Sequence, residues 1–323
     1  MLEHGGRLRD AARRWCIPPA EWLDLSTGIA PWPYPVPPLP PEAWQRLPED
    51  DDGLEDAARA LYGAQHLLPL AGSQAAIQAL PSLFAPGRVA MPRPMYHEHV
   101  AAWHAAGHTF VDWQDEAEYA VLCNPNNPTG QVFSADCLCL RLPGLRLMLV
   151  DEAFIDAGPG DSLAACAGSA GRENLIVLRS LGKFFGLAGA RVGFALGAPA
   201  LLDRLARALG PWAVAHPSRR VAQGALADTA WQAAQRQRLA AASARLAALL
   251  RAAGLNDPRG TALFQYVETP RAAAWHEALA RRGILVRRFA APAALRFGLP
   301  GDEAQWVRLA AALEEIRHAA STA

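Results

Sequence analysis

The sequence predicts an α/β fold with a large, mostly parallel sheet domain and a smaller α+β domain, and three observations carry that expectation. Apolar runs such as Tyr119 to Cys123 and Leu147 to Val150 are continuous, as in strands covered on both faces. Helical stretches separate these runs as far as Pro199. Beyond that point an alanine-rich helix takes over, and the end of the chain shows its own strand and helix pattern. With 323 residues and an apolar fraction of 51%, the chain can bury a full core without disulfide or metal staples. Thirty-one basic residues balance 31 acidic ones, which argues against a nucleic-acid binder and favours a small-molecule partner.

In chain order, Arg7 to Trp15 reads as a short basic helix, and Ala30 to Glu42 as a proline-dense extended segment. Residues 1–50 are therefore expected to form an N-terminal arm contributing to the small domain. Asp51 to Tyr62 reads as a capped helix opening a large domain over 51–228. Its strands are expected at Leu67 to Leu70, Arg88 to Met91, Thr109 to Val111, Tyr119 to Cys123, Leu147 to Val150, Asn174 to Leu178 and Val192 to Leu196. Helices from Ser73, His97 and Ala135 lie between them. Over 229–323, a bridging helix (Trp231 to Ala253) precedes strands at 262–267, 284–287 and 295–298 and helices at 271–281 and 302–319.

The five cysteines, Cys16, Cys123, Cys137, Cys139 and Cys166, are odd in number and lack the two-residue gap of a zinc or redox loop, so reduced thiols are expected. Without an apolar signal-peptide run or a membrane-length apolar stretch, a cytoplasmic location is expected. Nucleotide-binding glycine motifs and the G-x-S-x-G elbow are missing. His97, His99, His104 and His108 fall within 12 positions but have no obvious completing carboxylate or cysteine, so no metal is expected.

Another constellation carries chemistry. Lys183 follows Ser180-Leu181-Gly182 at the end of a predicted strand, where α/β sheets place ligands. Its apolar neighbours Leu181, Phe184, Phe185 and Leu187 suit a nucleophilic amine. Asp151 closes another strand, with a carboxylate available to a metal or a cation. Asn124 to Gly130 (NPNNPTG) is a turn-rich loop, and Arg191 offers a guanidinium for a phosphate or carboxylate. Ala71-Gly72-Ser73-Gln74 joins a strand to a helix and can present backbone N–H groups to an anion.

In this order the segments resemble the fold-type I, aspartate-aminotransferase-like pyridoxal-phosphate enzymes, with N-P-x-N-P-T-G, D-E-A-(F/Y), S-x-x-K and G-x-R-x-G at 124–130, 151–154, 180–183 and 189–193. The resemblance implies that Lys183 binds the cofactor aldehyde and acts as general acid/base, Asp151 pairs with the pyridine nitrogen, Asn127 bonds the phenolic oxygen and Tyr96 stacks on the ring. Gly72, Ser73, Gln74, Ser180 and Arg191 are implied at the phosphate end, and Arg296 at the substrate carboxylate. His4-Gly5-Gly6 and Leu23 to Ile29 (LDLSTGI) further resemble the opening of the L-threonine-O-3-phosphate decarboxylases of cobalamin biosynthesis. That likeness implies His4, Gly5, Gly6, Thr27 and Gly28 as substrate contacts, with His4 at the phosphate. Ala30 and Leu47 depart from the related patterns, which have asparagine and tyrosine there. The implied reaction is decarboxylation of L-threonine O-3-phosphate by a homodimer. Transamination of the histidinol-phosphate type, or cofactor binding without turnover, remains an alternative.

Overall fold

The computed structural model describes residues 5–158 and 160–321. Two compact units divide the chain. The larger comprises Pro33–Asn127 and Gln131–Ala234; the smaller takes the chain up to Trp32, Pro128–Gly130 and the chain from Gln235 on.

The elements begin with Leu8–Trp15 (α1), Leu23–Leu25 (β1), Glu42–Gln45 (α2) and Leu54–Tyr62 (α3). Then come Leu67–Leu70 (β2), Ser73–Ala79 (α4), Arg88–Met91 (β3), His97–Ala105 (α5), Thr109–Asp112 (β4) and Tyr119–Cys123 (β5). Ala135–Arg141 (α6), Leu147–Asp151 (β6), Leu175–Ser180 (β7), Gly193–Leu196 (β8), Pro199–Leu209 (α7) and His216–Ala227 (α8) follow. Thr229–Ala252 (α9) leads to Arg259–Thr261 (β9), Phe264–Glu268 (β10), Ala272–Ala280 (α10), Ile284–Ala290 (β11), Ala293–Gly298 (β12) and Glu303–Ser321 (α11). Among the described residues no helix is long and apolar enough to cross a membrane.

The larger unit holds a seven-stranded sheet in the order β2-β8-β7-β6-β5-β3-β4. From β4 to β7 the pairs are parallel, while β8 runs antiparallel to both β7 and β2. Every residue of β5, β6 and β7 is buried, as continuous apolar strands require. Since β8 opposes both of its neighbours, β2 points the same way as β7. The last residues of β2, β3, β5, β6 and β7 and the first of β8 consequently share one sheet edge, and the loops that leave it carry the candidate cofactor residues.

The smaller unit's five-stranded sheet has the order β1-β11-β12-β10-β9, with β1 parallel to β11 and the remaining pairs antiparallel. Ser243 of α9 fastens this sheet, donating to the Thr261 carbonyl at 2.9 Å and accepting from Gln265 Nε2 at 2.8 Å.

Residues 1–50 divide differently from the single arm expected of them. Leu23 and Leu25 are buried in β1, an edge strand too short to show an alternation in sequence. Trp32 belongs with the smaller unit: its Nε1 donates to the Gly301 carbonyl at 2.6 Å, and the Arg238 guanidinium lies 3.6 Å from its ring centre. Two residues later Tyr34 belongs with the larger unit, where its amide bonds the Phe185 carbonyl at 2.9 Å and its ring meets Trp231 edge-on. The compact units therefore divide after Trp32. Two helices not foreseen, α7 and α8, precede α9 and carry a proline in their first turns, where the missing N–H costs nothing. β7 also runs on through Arg179 and Ser180, past the apolar run that predicted it.

The helix expected from Asp51 starts at Leu54. Asp52 accepts the Leu54 amide at 3.1 Å while its carboxylate receives Arg219 Nε and Nη2 at 2.7 and 2.8 Å, and Arg219 Nη2 also reaches Glu55 at 2.7 Å. Burial raises the Asp52 carboxyl, but the bonds from Arg219 and Leu54 overrule it and leave its pKa below 3.8. A depressed carboxyl stabilises the native chain above its unfolded pKa, and the contribution is lost as pH falls through the folded value. Arg219→Ala is expected to lower unfolding free energy by about 3 kcal/mol at neutral pH, since it strands two carboxylates beside a buried site. In urea titrations, the wild-type midpoint should drop below about pH 4 by more than that of the variant.

Candidate active site

Asp151 ends β6 with only 5% of its surface exposed. Its Oδ2 lies 3.0 Å from His99 Nε2, and its Oδ1 accepts the Ala153 amide at 3.0 Å. His99 is fully buried in the first turn of α5, three residues after Tyr96. Cys123 is the register partner of Asp151 on β5, and the backbone amides of Tyr96 and Asn127 point at its sulfur. Burial, helped by the Asp151 charge, pushes this thiol well above the usual range. The donor atoms of His99, Cys123 and Asp151 lie within 4.8 Å of one another, and all three residues are buried. The other histidines of the sequence cluster diverge, His108 to the Pro81 carbonyl at 3.1 Å and His104 to a stack on Phe110. Sequence reasoning weighed His99 only as one of a histidine cluster and expected no metal there; its place beside Asp151 is set by the packing of α5 on the end of β6.

Lys183 lies in the loop after β7 between Leu181 and Phe184, both fully buried. Its Nζ lies 5.6 Å from the ring centre of Phe154, so the DEAF and SLGK segments meet. Ser180 Oγ accepts the Gly182 amide at 3.2 Å and tightens the turn. Arg191, in left-handed backbone conformation, brings its guanidinium against Gly72. A Cβ at position 72 would stand 2.5 Å from Arg191 Nη2, and its φ of +74° already calls for glycine. Ser73 opens α4, and Gln74 accepts the Tyr96 hydroxyl at 3.4 Å while donating to Glu98 at 2.9 Å. Asn127 sits in a loop shaped by its neighbours. Asn124 brackets the Phe133 backbone with two bonds of 2.9 Å, and Asn126 Nδ2 donates to the Pro94 carbonyl at 2.9 Å. Gly72, Ser73, Gln74, Tyr96, Asn127, Asp151, Ser180, Lys183 and Arg191 thus gather along one sheet edge of the larger unit.

The candidate substrate residues belong to the smaller unit. Arg296 is 7% exposed, with its guanidinium 5.0 Å from the Phe264 ring centre and Nη2 donating to the Ser26 carbonyl at 3.1 Å. Gly5 packs on that carbonyl, and the Gly6 amide is engaged by Ser26 Oγ at 2.7 Å. The Thr27 carbonyl runs along Gly298, and Gly28 is buried. His4 lies outside the described residues. Arg287 on β11 is the direct cross-strand partner of Arg296 and was missed in the sequence, because only the register sets the two guanidiniums on one face.

Residues 48–320 match the family model for aminotransferase class I and II. The chain belongs to the class I and II aminotransferase family. It is 57% identical to a threonine-phosphate decarboxylase of Pseudomonas aeruginosa, across 97% of each chain, and 42% identical to one from Sinorhizobium sp across 98% of each. Its fold matches that of histidinol-phosphate aminotransferase from Sinorhizobium meliloti with a TM-score of 0.83 at 19% identity, covering 98% of this chain and 96% of that one.

A buried ion network backs the aminotransferase-family motifs, and no sequence motif pointed to it. Glu152 and Arg179 each adjoin a candidate cofactor residue, Asp151 and Ser180, and their side chains bond at 2.8 Å. Arg179 also pairs with Asp156, and its guanidinium lies 4.3 Å from the Tyr62 ring centre. Glu152 accepts Ser162 Oγ at 2.6 Å and the Leu163 amide at 2.8 Å. Two carboxylates share one guanidinium here, and burial raises the Glu152 carboxyl despite it. Burial alone would lower the Arg179 pKa, but Asp156 and Glu152 drive it up.

Tyr96 carries the measurable shift of the candidate site. Burial, then the charges of Glu98 and Asp151, push its phenol from 10.0 up to about 12. The native chain keeps this proton where the unfolded chain loses it, so stability declines as pH climbs from 10.0 toward about 12. A phenolate titration of wild type minus Tyr96→Phe should give a midpoint of about 12, and a midpoint at 10.0 would contradict the burial described.

Proposed function

We propose that this chain is a pyridoxal 5'-phosphate enzyme that decarboxylates L-threonine O-3-phosphate to (R)-1-amino-2-propanol O-2-phosphate and CO2 in cobalamin biosynthesis. The observation that carries this reading is the near-full-length likeness to two threonine-phosphate decarboxylases.

The larger unit's edge fits the cofactor. Gly72 leaves the space beside the Arg191 guanidinium that a Cβ would fill, so Arg191, Ser73 and Ser180 suit a phosphate. Gln74 steadies the Tyr96 hydroxyl, so that the ring keeps its place for stacking. Asp151, oriented by His99 and the Ala153 amide, suits the ring nitrogen, and Asn127 the phenolic oxygen. When bound, pyridoxal 5'-phosphate supplies the electron sink for the pair left on the substrate's Cα. Lys183 would hold the cofactor aldehyde, and its amine stands as the group that would deliver the proton replacing CO2 at Cα. The buried Leu181, Phe184 and Phe185 around it keep water from competing for that proton.

Arg296 takes the substrate carboxylate with its two-pronged guanidinium, which fixes the direction in which CO2 leaves. Arg287 beside it suits the phosphate end, together with His4 and the backbone of Gly5, Thr27 and Gly28. The Gly6 amide serves the arm's own fold, since Ser26 holds it. All five cysteines are free thiols, which suits a reducing compartment, so we place the enzyme in the cytoplasm.

Incubating the cofactor-loaded protein with L-threonine O-3-phosphate should release CO2 and aminopropanol phosphate by mass spectrometry without any keto acid. Glutamate formation from 2-oxoglutarate without CO2 would make it an aminotransferase instead. Lys183→Ala should lose both turnover and the visible absorbance of the lysine-bound cofactor, and an unchanged band would remove Lys183 from its role.

We also infer a homodimer. On the larger unit Trp44, Leu47 and Trp212 are 71%, 60% and 60% exposed, and Pro48 and Trp212 line one cleft of about 440 Å³. Two tryptophans and a leucine this exposed suit a surface that a second copy of the chain covers. Sedimentation should show a dimer that Trp212→Arg weakens, whereas a wild-type monomer would contradict the inference.

A further inference from the structure

Four hydrogen bonds in the smaller unit converge on Ser26, a residue that no motif assigns to the reaction. Its Oγ accepts the Gly6 amide at 2.7 Å and donates to Asp24 Oδ1 at 2.6 Å, and its own amide goes to the same carboxylate oxygen at 2.9 Å. Its carbonyl accepts Arg296 Nη2 at 3.1 Å from 270 positions away along the chain. Gly5 rests on that carbonyl so closely that a Cβ would stand 2.2 Å from the oxygen. Ser26 is 2% exposed, so water does not compete for these bonds.

The chemistry gives the arrangement a direction. A hydroxyl has one proton to give, and here it goes to a carboxylate, a charge-assisted bond. Donation to the anion makes Oγ a better acceptor for the Gly6 amide. The Ser26 carbonyl meanwhile takes one of the two N–H groups of Arg296 Nη2, which restricts how the guanidinium turns and leaves the other for the fork. One buried serine therefore touches both the arm and the arginine.

We propose that Asp24 and Ser26 form a latch that docks the Gly5-Gly6 arm and orients Arg296, so that the groups for the substrate's phosphate and carboxylate ends are set together. Both are positioning residues. The inference rests on the reading of the substrate as a phosphorylated amino acid. None of the latch's hydrogen bonds involves a candidate cofactor residue. Loss of the latch falls on substrate affinity.

The test uses the full chain loaded with cofactor, comparing wild type, Ser26→Ala and Asp24→Asn. Ser26→Ala removes the hydroxyl but keeps the carbonyl that meets Arg296, and Asp24→Asn keeps an acceptor while removing the charge. KM and kcat are read from CO2 release with L-threonine O-3-phosphate. Substrate-free tryptic cleavage after Arg7, which is exposed, reports the docking of the arm. Ser26→Ala should raise KM about tenfold, as the loss of one buried charge-linked hydrogen bond implies, with kcat changed less than about threefold. Asp24→Asn should raise KM by a smaller factor. Cleavage after Arg7 should quicken in both, and the visible absorbance of the bound cofactor should stay as in wild type. An unchanged KM with a lowered melting temperature would reduce the latch to a structural contact and overturn the proposal. If wild type releases no CO2, the substrate reading fails, and the tryptic comparison still decides the latch: equal cleavage in all three proteins overturns it.

Discussion

Burial of β5, β6 and β7 on both faces is the constraint on which the larger unit depends. Strands with no solvent face cannot carry polar chemistry along their length, because an unpaired polar group there costs free energy with nothing to offset it. Polar residues are displaced to the strand ends, and the parallel arrangement brings those ends to one edge. Cys123, Asp151 and Ser180 are such end residues. The antiparallel β8 adds Arg191 to the same edge from the opposite direction.

At that edge each candidate group has a neighbour that sets its place. Asp151 leans on His99, Gly72 makes room for Arg191, and Tyr96 is steadied by Gln74, itself held by Glu98. Behind them Glu152 and Arg179 tie β6 to β7 one residue away from Asp151 and Ser180. A buried ion pair of this kind adds little net stability over a well-packed apolar pair. Its geometric effect is larger, because breaking it would leave a charge without a partner while intact it holds the two strand ends at one stagger.

The smaller unit follows another logic. Its candidate groups for the substrate are two arginines on adjacent antiparallel strands and a glycine-rich arm on an edge strand. Two guanidiniums side by side repel, and a substrate with two anionic ends relieves that repulsion on binding. Glycine at position 5 is needed for packing there, since any side chain would collide with the Ser26 carbonyl.

The sequence by itself determined the strand runs, the motif loops that end them, and with these the family and the candidate cofactor residues. Those features are local: a continuous apolar run and the turn that ends it lie within a few residues of one another. Only the tertiary structure decided that Leu23–Leu25 is a strand, that residues 33–50 part from the arm, and that His99 serves a carboxylate. It alone set Arg287 opposite Arg296 and gave Ser26 its place between Gly6 and Arg296. Such contacts join residues up to 270 positions apart. A residue's neighbours in sequence constrain its backbone but not the distant partner that packing brings to it, so no local pattern could announce these pairs.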